Sequence, residues 1–263
     1  MNEDVLHRGK ERFVEQHARI QQEYRRQSVF WAWRSPSLEL RDFAARIDVG
    51  SQDHVLDVAA GTGLLGRTLA PRAKSVVAID LTPEMLSAGT EAAKRDGIDN
   101  MTFVQGAAES LSFPQGEFDL VVTRYSLHHM VEPQSVVDEM ARVARIGGRV
   151  ALIDMLSPDD PVVAHRYNEL ERWRDPSHTR APTREDLRVL VDRAGATLTD
   201  EFVCDIEDDV DDWLAIARPD ARAKIEEALK DELQGSGLTG LRPSAVASTL
   251  TYKHTVGLVV ARR

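Results

Sequence analysis

The sequence predicts an α/β fold: a doubly wound sheet of seven strands, mostly parallel with the last strand antiparallel, preceded by N-terminal helices and interrupted by an inserted helical lid. Three observations predict it. From residue 54 onward, short β-branched runs alternate with helical stretches, the pattern of parallel strands joined by crossover helices. The first run leads into Gly61-Thr62-Gly63-Leu64-Leu65-Gly66, a glycine-rich turn that opens a helix, and the second run ends on Asp80. At 263 residues the chain can bury one large core, so residues 1–50 are assigned to an N-terminal helical cover and 51–263 to one sheet domain with a lid at about 156–182.

Residues 3–27 are charged and helix-favouring, with Val5, Leu6, Phe13, Val14 and Ile20 as apolar positions, which predicts a partly amphipathic helix. Ser28-Val29-Phe30-Trp31-Ala32-Trp33 breaks that composition, and Ser35-Pro36-Ser37 starts a second helix running to about Ile47. HVLDVA is the first strand, 64–70 a helix, SVVAID the second strand and 83–95 the next helix; MTFVQG and FDLVVT are strands, 133–144 a helix and RVALID a strand. After Asp154 a polar, proline-bearing stretch carries a helix at 160–173 and ends in Arg174-Asp175-Pro176-Ser177-His178-Thr179-Arg180, the expected lid. A helix at 183–194 closed by Gly195, the strand TLTDEFVCDI, helices around 208–233 and a last strand from Tyr252 to Ala261 complete the order.

Lysine and arginine total 33 against 43 acidic residues, a net charge of -10, so a polyanion is repelled on average and nucleic acid is not expected as a partner. The single cysteine, Cys204, excludes a disulfide framework within the chain and a multi-cysteine metal site; no histidine-rich metal spacing occurs, and no catalytic metal is expected. The first residues, MNEDVLHRGKERF, are charged throughout, and no stretch approaches the ~20 apolar residues of a membrane span. The expectation is a cytoplasmic protein without membrane insertion, acting on a small molecule; a homodimer paired through the N-terminal helix is compatible with the sequence.

The glycine turn is compatible with two cofactors. As G-x-G-x-x-G between a strand and a helix, with Asp80 placed for a ribose diol, it fits a dinucleotide. Asp57, four residues before Gly61, separates the two. A carboxylate there repels a pyrophosphate, which needs backbone N–H groups and the positive end of a helix. It favours the ammonium and sulfonium of S-adenosylmethionine, directly or through water. The bland alternative is a turn in which Asp57 merely caps the helix.

DVAAGTGLLG, VVAIDLTPEML, VQGAAESLSFP, FDLVVTRYSLHHM and ARIGGRVALID, in this order, resemble the class I S-adenosylmethionine-dependent methyltransferases related to the ubiquinone and menaquinone biosynthesis C-methyltransferases, the methyltransferase type 11 group. The resemblance continues through RDPSHTR and REDLRVLVDRAGA and so covers nearly all of the chain beyond about residue 50. It implies a Rossmann-like sheet and S-adenosyl-L-methionine as cofactor. Asp57, Ala59, Gly61, Thr62 and Gly63 would surround the methionine part, Asp80 would bind both ribose hydroxyls, and Leu81 and Met85 would line the adenine. Ala108 would offer its backbone to the adenine edge, and Arg124 would contact the methionine carboxylate. One position departs from the family. Relatives often carry aspartate where this chain has Ala107, so Glu109 or backbone would have to serve the adenine amino group.

Methyl transfer from a sulfonium is an in-line displacement that needs positioning in a water-poor pocket, and a base only where the acceptor loses a proton. His128 and His129 follow the fourth strand, at the sheet edge where such folds deliver side chains to ligands, and are the candidate catalytic residues. Tyr125 beside them, and His165, His178 and Arg180 of the lid, are candidate acceptor contacts; Asp154 ends the fifth strand and either faces the pocket or caps a turn. Trp31, with Tyr24 and Trp33, could cover the cofactor, its aromatic face complementing a sulfonium. Each has a plain alternative: packing for the histidines and tryptophans, a salt-bridged surface turn for RDPSHTR.

TRYSLHHM stands where adenine and glutamine N-methyltransferases carry Asn/Asp-Pro-Pro-aromatic, which disfavours those activities. The sequence therefore supports methyl transfer to carbon or oxygen, with nitrogen less favoured, of a small apolar or aromatic metabolite. The alternatives are an NAD(P)-dependent oxidoreductase using the same loop and a methyltransferase-fold protein that binds without transferring.

Overall fold

The structure is a computed structural model that describes residues 3–32, 34–246 and 249–263. Helix α1 (Glu3–Ala32) leads into α2 (Leu38–Arg46), whose N-terminus is capped by Ser37 accepting from the Leu40 amide. Then come β1 (His54–Val58), α3 (Leu64–Leu69), β2 (Ser75–Asp80), α4 (Pro83–Arg95), β3 (Met101–Gln105), β4 (Phe118–Arg124), α5 (Pro133–Val143) and β5 (Ala144–Met155). The second half runs α6 (Pro161–Arg174), α7 (Arg184–Arg193), β6 (Thr197–Asp209), α8 (Val210–Trp213), α9 (Pro219–Leu233), β7 (Ser244–Val246) and β8 (Thr249–Arg262). Proline opens α4, α5, α6 and α9, where its missing N–H costs nothing.

The sheet order is β3-β2-β1-β4-β5-β8-β6. The order reverses at β1 and β4, so their carboxyl ends open the crevice in which doubly wound sheets bind ligands. β8 lies antiparallel between β5 and β6, as expected for the last strand. An eighth strand, the short β7, pairs with β8; the sequence reading left 244–246 in a loop because three residues carry no period.

Alternate residues of the central strands feed two cores. Leu56, Val121 and Val150 pack under α5 and α7, while Val55, Leu120, Val122 and Ile153 pack under α2 and α3. A third core beneath α6, α8 and α9 gathers Tyr167, Leu170, Trp213, Leu229 and Tyr252. Helix α1 continues through the aromatic segment that the sequence reading set apart by its composition: Trp31 Nε1 donates to Gln27 Oε1 at 3.0 Å, one turn back. Trp33 lies outside the described residues. Among the described residues no helix is long and apolar enough to cross a membrane.

α1 is tied to both halves of the molecule. Arg25 pairs with Glu84 of α4 at 2.7 Å, and buried Glu23 receives Arg218 at 2.8 Å.

Candidate active site

Where β1 ends, the chain turns through Ala59 (φ 51°), Gly61 (φ 57°) and Gly63 (φ 67°). A left-handed alanine is strained, and here the turn is held by the Ala60 amide on the Ile79 carbonyl at 3.0 Å and the Gly63 amide on the Ala60 carbonyl at 2.8 Å. Asp80 closes the loop from the next strand: Oδ2 accepts the Gly61 amide at 2.7 Å and Oδ1 the Thr82 amide at 2.8 Å. Burial raises the Asp80 pKa against these donors.

Asp57 is 1 % exposed and accepts the Gly66 amide on Oδ2 at 2.8 Å, so it does cap α3. That bond bears on the choice of cofactor. A first-turn amide of the kind a pyrophosphate would need is occupied by a carboxylate, and burial pushes Asp57 up to about 7, a group that gains from a cation. Two buried acids beside the loop fit S-adenosylmethionine, and they do not fit a diphosphate.

Asp80, Leu81, Gly106, Ala107, Ala108 and Glu109 line a cavity of about 40 Å³, which His17 and Ile20 of α1 roof over and Ala59 and Met130 complete. Met85 is buried beneath the loop, its Cε 3.1 Å from where a Cβ on Gly61 would stand, and Thr62 is buried beside it. Glu109, expected to serve the adenine edge, lies 3.3 Å from His17 Nε2 through each carboxylate oxygen; this hydrogen bond raises the His17 pKa. The Leu81 carbonyl accepts from Gln21 of α1 at 3.0 Å.

The second half of the site lies at the ends of β4 and β5. Arg124 stacks over Tyr125 at 4.3 Å from the ring centroid, and Tyr125 itself takes a left-handed backbone (φ 50°) fixed by its amide on the Ile153 carbonyl at 2.8 Å. Burial lowers the Arg124 pKa and raises that of Tyr125. Asp154, 0 % exposed, both faces the site and caps the turn: it accepts the amides of Leu127 and Met155 at 2.8 Å and holds His128 Nδ1 at 2.5 Å. The His128 and His129 rings lie 4.1 Å apart, and His178 of the lid is 5.3 Å from His128. His129 contacts Tyr24 of α1 at 2.7 Å through Nε2 and Ser177 Oγ at 3.1 Å through Nδ1. Burial, reinforced by His128, pushes His129 down to about 4 and lowers His178 further.

The segment read as a lid is closed by backbone bonds rather than by surface salt bridges. The amides of Thr179 and Arg180 and the Thr179 hydroxyl all donate to the His128 carbonyl, and buried Gln16 of α1 donates to the carbonyls of His129 and Ser177 at 2.7 Å each. His178 is inside, with Nε2 on Asn168 Oδ1 at 2.8 Å.

Three expected acceptor contacts are not brought to this cluster. His165 is exposed on α6, away from that helix's buried residues Tyr167, Asn168, Leu170 and Glu171. The Arg180 side chain is 62 % exposed and pairs with Asp186 at the start of α7. Trp31 packs edge-on to Phe30 on its own helix, under Arg34. Conversely, the sequence reading missed Gln16 and Asn168, named Asp175 and Ser177 only within the lid segment, and read Tyr24 as an aromatic cover over the cofactor. The signal for Tyr24 was its place seven residues beyond His17 and four beyond Ile20, on one helix face.

A larger groove of about 440 Å³ lies elsewhere, lined by Leu156, Pro158, Leu238 and Arg242 among others. It contains none of the residues above, and its arginines are already paired, Arg184 with Glu201 and Arg242 with Asp205.

The fold and site define a class: a doubly wound α/β domain with buried acids at the strand ends that open its ligand crevice. Residues 56–152 match the methyltransferase domain family. A methyltransferase of Bacillus subtilis, YcgJ, is 34% identical over 64% of this chain and 64% of its own length, so the match spans just under two thirds of that relative. Its crystal structure superposes with a TM-score of 0.76 at 26% identity, covering 85% of this chain and 97% of that one. The ubiquinone/menaquinone biosynthesis C-methyltransferase of Hahella chejuensis is 32% identical over 55% of this chain and 67% of its own length. The chain belongs to the class I S-adenosylmethionine-dependent methyltransferases, and S-adenosylmethionine is its cofactor.

Proposed function

We propose that the chain methylates carbon or oxygen of a small apolar or aromatic acceptor held over the ends of β4 and β5. The observation that carries this reading is the buried cluster of His128, His129 and His178, closed over by α1 and the lid. His129 and His178, held neutral by burial, add no charge to the site, which suits an uncharged ring better than a phosphate or carboxylate. The name of the Hahella relative, a quinone-biosynthesis C-methyltransferase, supports a ring acceptor.

Bound in the cleft, the cofactor supplies an electrophilic methyl group on a sulfonium. The chain's own part is to hold and to exclude. Asp80 is aimed by two backbone amides at the ribose, and Asp57 with Arg124 brackets the amino acid end. Asp154 holds His128 in place through Nδ1, while α1 and residues 175–181 keep water out.

Calorimetry with S-adenosylmethionine, S-adenosylhomocysteine, NAD and NADP is the first test, followed by S-adenosylhomocysteine formation across phenols, hydroquinones, aliphatic acids and amines. Binding of the first pair and turnover of ring acceptors are expected. NAD(P) binding in their place overturns the reading, and donor binding with no turnover on any acceptor favours a non-catalytic role.

A further inference from the structure

We propose that Tyr24, carried by the N-terminal helix, is a catalytic residue: its phenolic oxygen takes the proton that a hydroxylated acceptor loses, while its own proton passes to His129. This deepens the reading above and rests on it. Three short contacts fix the direction of every hydrogen. Asp175 is 2 % exposed and accepts the Ser177 amide at 2.8 Å and the Ser177 hydroxyl at 2.6 Å, both on Oδ1. Since Ser177 gives its only hydroxyl proton to Asp175, its oxygen must accept from His129 Nδ1 at 3.1 Å. His129 Nε2 is then a lone pair, so Tyr24 is the donor in the 2.7 Å contact between them. The phenolic oxygen keeps its lone pairs for a further partner.

The location of Tyr24 fits that role. Ile20 and His17, one and two turns earlier on the same face of α1, line the cofactor cavity with Asp80 and Ala59. Tyr24 reaches past them to the His129 ring, edge-on at 5.4 Å between centroids. It therefore lies between the ribose end of the cleft and the ends of β4 and β5, where methyl donor and acceptor must meet. Asp80, Asp154, Asp175 and Arg174 are the charged groups that act on it; His129 also faces His128. Burial holds Tyr24 as a phenol, so it works by passing a proton and not as a phenolate.

In the step itself, an acceptor O–H proton goes to the Tyr24 oxygen and the Tyr24 proton to His129 Nε2. The acceptor's freed electron pair forms the new bond to the methyl carbon, and the carbon–sulfur pair returns to sulfur as the thioether. The imidazolium that forms is stabilised by Asp175 through Ser177. The positive charge moves from sulfur to His129, so the cleft's net charge is unchanged. The substrate class is a hydroxylated aromatic.

Tyr24→Phe, assayed on the intact chain with phenols of graded acidity, tests the proposal. With a phenol of ordinary acidity, pKa about 10, kcat is expected to fall on the order of 100-fold or more while the donor Kd changes less than about threefold. With a phenol acidic enough to be ionised beforehand, the deficit should shrink toward one, which a packing role would not produce. Equal kcat for both chains on the ordinary phenol, or a deficit independent of acceptor acidity, overturns the relay and leaves the methyltransferase reading standing. Turnover of other acceptors but of no phenol by the unaltered chain overturns the relay alone, and donor binding without turnover of any acceptor overturns both. If the phenylalanine variant fails to fold, Tyr24→fluorotyrosine, nearly isosteric and a weaker base, gives the same test; its kcat should depend on acceptor acidity differently from that of tyrosine, and an identical dependence overturns the relay.

Discussion

Asp57 gives the site a proton-linked preference for a cation. Its carboxyl titrates at about 7 because burial outweighs the Gly66 amide and Arg124, so below that pH it is mostly protonated. A raised carboxyl pKa costs folding stability progressively as pH rises from the unfolded value near 4 through 7, and a bound ammonium or sulfonium recovers that cost by favouring the anion. Donor binding should therefore release a proton at pH 6, and its affinity should rise from pH 6 to 8, approaching tenfold per unit on the acidic side. Calorimetry in buffers of different ionisation heat reads both quantities. Asp57→Asn should flatten the dependence, and a pH-independent Kd in the unaltered chain would place the cation elsewhere. Residues of this kind were legible in the sequence because strand-end position alone aims them. His165 and Arg180 point away from the cluster, which was not legible because sequence gives a helix or a turn without giving the rotation of its face.

Among the elements, the glycine loop makes a demand that single substitutions can separate. Gly63 and Gly97 both have φ near 70°, but a Cβ on Gly97 meets nothing within 4 Å, whereas one on Gly63 would stand 2.6 Å from Met101 Cε and 2.9 Å from Phe103 Cε1. Gly97→Ala should cost about 1–2 kcal/mol from backbone strain alone. Gly63→Ala should cost that plus about 1–3 kcal/mol of overpacking against β3. Urea unfolding measures both, and equal losses would show that β3 yields to the added methyl. The core elements were readable from period and punctuation: 83–95 is the helix that Pro83 announced. α1 was harder. Its polar face is buried by partners more than 100 residues away, as with Gln16 on the His129 carbonyl, and nothing local in the sequence records a contact of that range.

Across the whole molecule, the far edge of the sheet is held by charge. Glu201 on β6 takes Arg184 at 2.5 Å and Arg188 at 2.6 Å from α7, and the Arg184 hydrogen bond is the main cause of its pKa falling to about 2. A depressed carboxyl contributes stability that is complete above its unfolded value, near 4.5, and is lost as pH falls toward 2. Glu201→Gln should lower Tm at neutral pH and make the decline between pH 5 and 3 shallower; an unchanged slope would assign the acid sensitivity to other carboxylates. The seven longer strands and the antiparallel last strand followed from the alternation of elements, while the strand order, the eighth strand and the closed state of the lid depend on pairing that forms only in three dimensions.

Helix α1 touches the donor half through Gln21 on Leu81 and the acceptor half through Gln16 and Tyr24. On the proposed reading one helix covers both halves, so release of spent donor and product would require α1 to move. The chain is expected to run as a clock wound by that movement: a rapid first turnover in stopped flow, then a slower steady rate set by how often α1 lifts.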